Sequence, residues 1–171
     1  MILKNSEILL TEPRGFCAGV ERAIEIVNRA VEIFDETIYV KHEVVHNKHV
    51  IEQLVEKGVV FVESLDNVPD QSILIYSAHG VSKEISELAS LKKLKVFDAT
   101  CPLVTKVHFE IHKFASQNID VVLVGHSGHP EVEGTMGQYI SDKGKIHLVE
   151  TNDDIDKLQI ENQDLAYVTQ T

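Results

Sequence analysis

The segment Pro13-Arg14-Gly15-Phe16-Cys17-Ala18-Gly19-Val20 organises the rest of this amino-acid sequence. The apolar residues 8–11 in front of it predict a buried strand. Behind it, apolar residues recur three or four positions apart, as on one face of a helix: Val20, Ala23, Ile24, Val27, Ala30 and Val31. Cys17 is therefore predicted to lie between a strand end and a helix start, where the helix dipole favours a thiolate. A small buried cysteine is the alternative, and this segment alone leaves both interpretations open.

The overall composition excludes several classes of protein. The 171 residues fit one large domain or two small ones, and the N-terminus lacks the pattern of a secretory signal. No apolar run reaches the roughly 18 residues that a membrane span needs. Two distant cysteines favour a reducing compartment over a disulfide framework. Together with the missing signal, they predict a cytoplasmic protein. The net charge of −11 argues against binding to nucleic acid or to an anionic membrane surface.

Short apolar segments alternate with amphipathic ones along the sequence. The predicted strands are residues 38–40, 59–62, 73–76, 96–97, 121–124 and 165–168. Strands that alternate with helices at this spacing predict repeated βαβ units and parallel sheets, which is the α/β class. The strands are almost entirely apolar, which indicates that both faces of each sheet are covered. In such sheets ligands bind beyond the carboxyl ends of the strands, so the polar residues there are the candidate site.

Cysteines and strand-end polar residues occur twice in the same order. The first set is Cys17, His46 and His79, and the second is Cys101, His129 and Thr171. The second and third members follow the cysteine by 29 and 62 residues in the first set, and by 28 and 70 in the second. This order predicts two similar units, residues 1–100 and 101–171, around a shared site. Because the second repeat stops early, we expect a longer protein with a third unit and a third cysteine.

The residue types leave two kinds of chemistry open. Histidines near helix starts suit an anionic ligand such as phosphate. Glu131 lies two residues after His129 in a glycine-rich segment, predicted to be a loop, where a carboxylate can deliver protons. Two cysteines with several histidines suit zinc, whereas Cys17 and Cys101 with a further cysteine outside the sequence suit an iron–sulfur cluster.

Six longer motifs resemble one enzyme family. They are Pro-Arg-Gly-Phe-Cys-Ala-Gly-Val at 13–20, His-Glu-Val-Val-His-Asn at 42–47, Ser-Ala-His-Gly-Val at 77–81, Asp-Ala-Thr-Cys-Pro-Leu-Val at 98–104, Gly-His-Pro-Glu-Val-Glu-Gly-Thr at 128–135 and Thr-Gln-Thr at 169–171. Together they resemble the 4-hydroxy-3-methylbut-2-enyl diphosphate reductases, iron–sulfur enzymes of the non-mevalonate isoprenoid pathway. The resemblance covers only the N-terminal half or so of such an enzyme.

This resemblance implies three similar αβ units around a central cavity and an oxidoreductase that removes the substrate hydroxyl, giving isopentenyl and dimethylallyl diphosphates. It implies that Cys17 and Cys101 bind a 4Fe-4S cluster together with a third cysteine outside this sequence. Five residues match the substrate site of the family: His46, His79 and His129 at the diphosphate, Glu131 as proton donor and Thr171 near the reacting end. It also implies a low-potential electron donor such as ferredoxin or flavodoxin.

Two further expectations follow from the partial coverage. We expect these 171 residues alone to be inactive and to retain a cluster weakly, because part of the ligand set lies elsewhere. A zinc- or phosphate-binding module without redox chemistry is the alternative function.

Overall fold

The computed structural model describes residues 7–160 and 164–171. A single 3-10 turn, Leu65–Asn67, accompanies the regular elements of the described residues. In order, these are α1 (Ala18–Ile33), β1 (Ile38–Lys41), α2 (Lys48–Glu56), β2 (Val60–Val62), β3 (Ile73–Tyr76), α3 (Lys83–Leu91), β4 (Lys95–Asp98), α4 (Pro102–Ser116), β5 (Asp120–Val124), α5 (Pro130–Met136), β6 (Ile146–Val149), α6 (Asn152–Ile155) and β7 (Leu165–Thr169). No described helix has the length and apolar character needed to cross a membrane.

The strands form two parallel sheets, one with four strands and one with three. The first sheet has the order β2-β1-β3-β4, with Val40 of β1 opposite Phe61 and Ile75. The second has the order β6-β5-β7, with Val122 of β5 opposite His147. The three strands of the second sheet thus repeat the order of β2-β1-β3. The predicted α/β class with parallel sheets is confirmed, whereas the boundary near residue 101 stays a prediction.

The first sheet is covered on both faces because alternate residues of β3 point to opposite sides. Ile73 and Ile75 pack in the core beneath α1 and α2. Leu74 and Tyr76 pack on the other face, against α3 and the 3-10 turn. All four side chains are buried. This two-sided burial explains why the strand is apolar at every position.

The predicted strand at residues 8–11 is wrong. Residues 8–10 have no regular secondary structure and no strand partner, and Ile8, Leu9 and Leu10 are 85, 80 and 70% exposed. An apolar run satisfies the pattern of a buried strand, but a strand also needs a neighbour for its backbone hydrogen bonds. None of the described strands pairs with this segment. Cys17 therefore follows an irregular segment and not a strand.

The glycine-rich segment around Glu131 is also not the predicted loop, since it contains α5. The helix begins there because His129 Nδ1 accepts a hydrogen bond from the Glu131 backbone N–H at 3.1 Å. Pro130 occupies the first helical position, where its missing N–H has no consequence. Glu131 consequently lies in the first turn of a helix, a rigid position that the sequence pattern did not indicate.

Small residues allow α5 to pack directly against the loop after β3. A methyl group on Gly137, at the C-terminal end of α5, would overlap the Cβ of Ser82 and lie 3.1 Å from its Cα. Gln138, just after α5, donates a side-chain hydrogen bond of 2.6 Å to the Val81 carbonyl. These contacts bring the two sheets together at the loops that carry His79 and His129.

Candidate functional site

All seven predicted site residues line one cavity of about 310 Å³. They are Cys17, His46, His79, Cys101, His129, Glu131 and Thr171. Except for Cys17, they follow β1, β3, β4, β5 or β7, which places them at the carboxyl ends of parallel strands. The structure therefore brings together every residue that the repeat and the resemblance selected, while their individual roles stay predictions.

Both cysteines precede long helices. Cys17 is the residue before α1 and is exposed, and Cys101 is the half-buried residue before α4. Gly19 permits the approach of the two segments, because a Cβ at that position would lie 2.5 Å from Cys101 Sγ. The Cys101 backbone N–H donates to the Ala78 carbonyl at 2.9 Å, which fixes Cys101 beside the His79 loop. The predicted helix starts are confirmed, and both thiols lie at positive helix ends.

Arg22 ties α1 to the segment before Cys101. Its guanidinium donates hydrogen bonds to the carbonyls of Thr100, at 3.1 Å, and Asp98, at 3.3 Å. The Asp98 carboxylate in turn accepts the Thr100 backbone N–H at 2.8 Å. Sequence reasoning missed Arg22, because its partners are main-chain atoms of a segment distant in the sequence.

The three histidines form a compact triad. The ring centroids are 4.8 Å apart for His46 and His79, 5.0 Å for His46 and His129, and 5.3 Å for His79 and His129. Because His129 Nδ1 accepts the Glu131 N–H, its proton in the neutral ring is on Nε2, which lies 3.0 Å from His46 Nε2. One ligand nitrogen from each ring lies within 4.8 Å of the others, so the triad could bind either a metal ion or an anion.

Burial favours the neutral form of His79 and His129. His79 is only 9% exposed, and burial, together with the nearby His46 and His129, lowers its pKa to about 4. Burial also lowers the pKa of His129. Without an anion, therefore, these two rings are neutral N–H donors at pH 7, and a bound anion would favour their protonation.

Glu131 is a buried carboxylate held by the end of the second sheet. Its Oε1 accepts the Thr171 backbone N–H at 2.6 Å, so Thr171 contributes its main chain to this contact. Gln170 also lines the cavity, and its Oε1 accepts the His126 N–H at 3.0 Å. Sequence reasoning gave Gln170 no role, although it is the central residue of the Thr-Gln-Thr motif.

The profile of the LytB protein family matches residues 8–171. The chain belongs to the LytB family. Similar curated proteins are the 4-hydroxy-3-methylbut-2-enyl diphosphate reductases of Methylococcus capsulatus, 62% identical over 166 residues, and Aeromonas hydrophila, 61% identical over 165 residues. Each alignment covers 96% of this chain and 53% of the relative, so the LytB chain spans about half the length of these relatives.

Two solved structures are similar to this LytB chain. The E-1-hydroxy-2-methyl-but-2-enyl-4-diphosphate reductase of Plasmodium falciparum has a TM-score of 0.87 and 48% identity, over 94% of this chain and 50% of that one. An (E)-4-hydroxy-3-methyl-but-2-enyl diphosphate reductase has a TM-score of 0.80 and 34% identity, over 96% and 58%. The family predicted from the six motifs is confirmed.

Proposed function

We propose that this LytB chain is the N-terminal part of a 4-hydroxy-3-methylbut-2-enyl diphosphate reductase, which converts its substrate into isopentenyl and dimethylallyl diphosphates. One observation carries the proposal: two helix-start cysteines, three histidines and a buried glutamate line a single cavity. The names of the relatives support the same reaction. In this proposal residues 1–100 and 101–171 are two of three units, and the third unit lies outside the chain.

The cysteines fit an iron–sulfur cluster. Cys17 and Cys101 are free thiols on one cavity, and their helix-start positions favour the thiolate that binds iron. Two thiolates are fewer than the three or four that hold such a cluster, so we expect a third cysteine from the remaining unit. When bound, a 4Fe-4S cluster would supply electron transfer and Lewis acidity toward the substrate hydroxyl.

The remaining residues would bind the diphosphate and move a proton. His46, His79 and His129 direct ring nitrogens toward one another and would donate N–H hydrogen bonds to phosphate oxygens. Glu131 would carry the proton that leaves with the hydroxyl as water, while the Thr171 N–H holds its carboxylate in place. Substrate binding and proton transfer are thus assigned to different residues, so each role can be tested separately.

The proposal includes an external electron source. Reductive removal of a hydroxyl consumes two protons and two electrons per turnover, one proton leaving in the water and the other adding to a carbon of the product. Amino-acid side chains cannot supply the electrons repeatedly. A low-potential carrier such as ferredoxin or flavodoxin would provide them. Two free cysteines are consistent with a cytoplasmic location, where such carriers and reduced thiols occur together.

A substitution at Glu131 tests the reaction. In the full-length protein, purified anaerobically with its cluster, Glu131→Gln should reduce turnover by about 100-fold or more, because the proton donor is lost. Affinity for inorganic pyrophosphate should change less than about threefold, since the histidines remain. Glu87→Gln, which neutralises an exposed glutamate on α3, is the matched control.

Two outcomes would contradict this proposal. One is a Glu131→Gln protein that turns over like the wild type. The other is a colourless wild-type protein with stoichiometric zinc and no thiolate-to-iron absorption, which would support the zinc-binding module.

A further inference from the structure

A lysine is buried beside the triad, at the carboxyl end of β1. Lys41 is only 3% exposed, and lysines are rarely buried to this extent without a partner. Its Nζ contacts Nε2 of His42, and Nδ1 of the same ring lies 2.6 Å from Glu63 Oε2. The Lys41–His42–Glu63 network thus leads from a buried ammonium through an imidazole to an exposed carboxylate.

The contacts determine where the protons lie. The Lys41 ammonium donates to His42 Nε2, so the neutral ring carries its proton on Nδ1 and donates it to Glu63. Burial, reinforced by the adjacent Lys41 charge, lowers the pKa of His42. The ring therefore stays neutral between a positive and a negative group.

The backbone at His42 is in an unusual conformation. Its φ is +62°, in the left-handed region, where residues other than glycine stay only when their surroundings hold them. The His42 N–H donates to the Val62 carbonyl at 3.0 Å, which fixes the start of the connection to α2. The end of that connection is fixed by Asn47, which caps α2 through a bond from the Val50 N–H. His46 lies between these two fixed points.

The network also borders the contact between the two sheets. Lys41, His42 and Glu63 line a second cavity, of about 320 Å³, with Gly80 and Pro130, the residues that follow His79 and His129. The charged groups that face it are Lys41 of β1, Glu63 after β2, Glu84 of α3 and Glu133 of α5. A charge on His42 would be close enough to lower the pKa values of His79 and His129.

We propose that Lys41, His42 and Glu63 are positioning residues for the histidine triad. They hold the connection that carries His46, and they keep a neutral ring beside His79 and His129. The inference rests on the proposed function, because it assigns the network to the binding of the diphosphate. It predicts that disrupting the network weakens anion binding without removing any group that touches the anion.

Binding of inorganic pyrophosphate to the full-length protein, measured by calorimetry at pH 7.5, tests this proposal. Glu63→Gln removes an exposed carboxylate, so the protein should fold normally. His42→Asn removes the ring but keeps a residue that tolerates the left-handed conformation. Affinity should fall about threefold in Glu63→Gln and about tenfold in His42→Asn, the second corresponding to one lost hydrogen bond at the upper end of the usual range. Glu84→Gln removes the same charge from the same cavity and should stay within about twofold of the wild type.

Two further readouts separate positioning from general stability. With the natural substrate, KM should rise in Glu63→Gln while kcat is unchanged, because the reacting end is not affected. In Lys41→Met the pKa of the His42 ring, followed by NMR, should rise because the adjacent positive charge is gone. Wild-type pyrophosphate affinity in both Glu63→Gln and His42→Asn would overturn the inference.

One result would contradict the proposed function but not the positioning role of the Lys41–His42–Glu63 network. If the wild-type protein does not bind pyrophosphate, the diphosphate role of the triad is wrong. The positioning of His46 is then measured directly from its ring NMR signals. These should shift in Glu63→Gln and stay unchanged in Glu84→Gln, and unchanged signals in both would overturn the inference as well.

Discussion

A single methyl group at Gly19 should disturb the cysteine pair. In Gly19→Ala the new Cβ would lie 2.5 Å from Cys101 Sγ and 3.3 Å from Cys101 Cβ. Non-bonded carbon atoms are normally about 3.5–4.0 Å apart, so the Cys101 thiol must rotate away or α1 and the Cys101 segment must separate by about 1 Å. The displacement acts on the two residues that would share the cluster.

Two opposing effects determine how Gly19→Ala changes the free energy of unfolding. Overpacking of this kind destabilises a protein by about 1–3 kcal/mol. Alanine is favoured over glycine in a helix by at most about 1 kcal/mol, which offsets part of that effect. We therefore expect Gly19→Ala to lower the free energy of unfolding by about 1–2 kcal/mol, in spite of its better helix propensity.

Urea unfolding and iron content measure the two consequences. Unfolding followed by circular dichroism should show the loss of stability, and the full-length protein, reconstituted anaerobically, should retain less than half of the wild-type iron. Gly134→Ala is the matched control, since its Cβ in α5 would lie no closer than 3.4 Å to any atom outside that helix. Wild-type stability together with wild-type iron content in Gly19→Ala would refute the reasoning.

Three further perturbations test the surroundings of the site. Between pH 7.5 and pH 5 the free energy of unfolding should fall by about 2 kcal/mol on account of His79 alone. The pKa of His79 is about 4 in the folded protein and 6.5 in the unfolded reference, so protons bind preferentially to the unfolded chain. In urea titrations, His79→Asn should make the free energy of unfolding less dependent on pH. Arg22→Gln removes two hydrogen bonds to carbonyls before Cys101, so it should destabilise the fold by about 1–2 kcal/mol and speed thiol labelling of Cys101. Arg29→Gln, at an exposed position, should change neither the stability nor the labelling rate. Ser82→Ala removes the side-chain cap of α3 and should lower stability by about 1 kcal/mol in the same titrations.

Local patterns were sufficient for most of the first sheet. β3 is four apolar residues in a row, and both its faces are covered, so its sequence carries a clear signal. β6 (Ile146–Val149) was not predicted, because His147 interrupts its apolar run and three of its four residues are only half-buried. α5 was missed because Gly134 and Gly137 weaken its helical pattern, although Pro130 at the first position was a usable signal.

Several residues that line the cavity could be predicted because parallel strands end at a common edge of the sheet. That rule selected His46, His79 and His129 from position alone. It could not select Gly19 or Arg22, whose contacts join α1 to a segment some 80 residues away in the sequence. For the same reason residues 8–11 were misjudged: the presence of a pairing partner is a property of the fold and not of the segment.

The division of the cavity between the two sheets has a thermodynamic consequence. Cys17, His46, His79 and Cys101 come from the segments around the first sheet, and His129, Glu131 and Thr171 accompany the second. A ligand that contacts both sets binds only the docked arrangement, so binding and docking are reciprocally coupled. At 100 times its dissociation constant such a ligand adds about 2.7 kcal/mol to the folded state. Such a ligand would therefore make the two halves unfold as one cooperative unit.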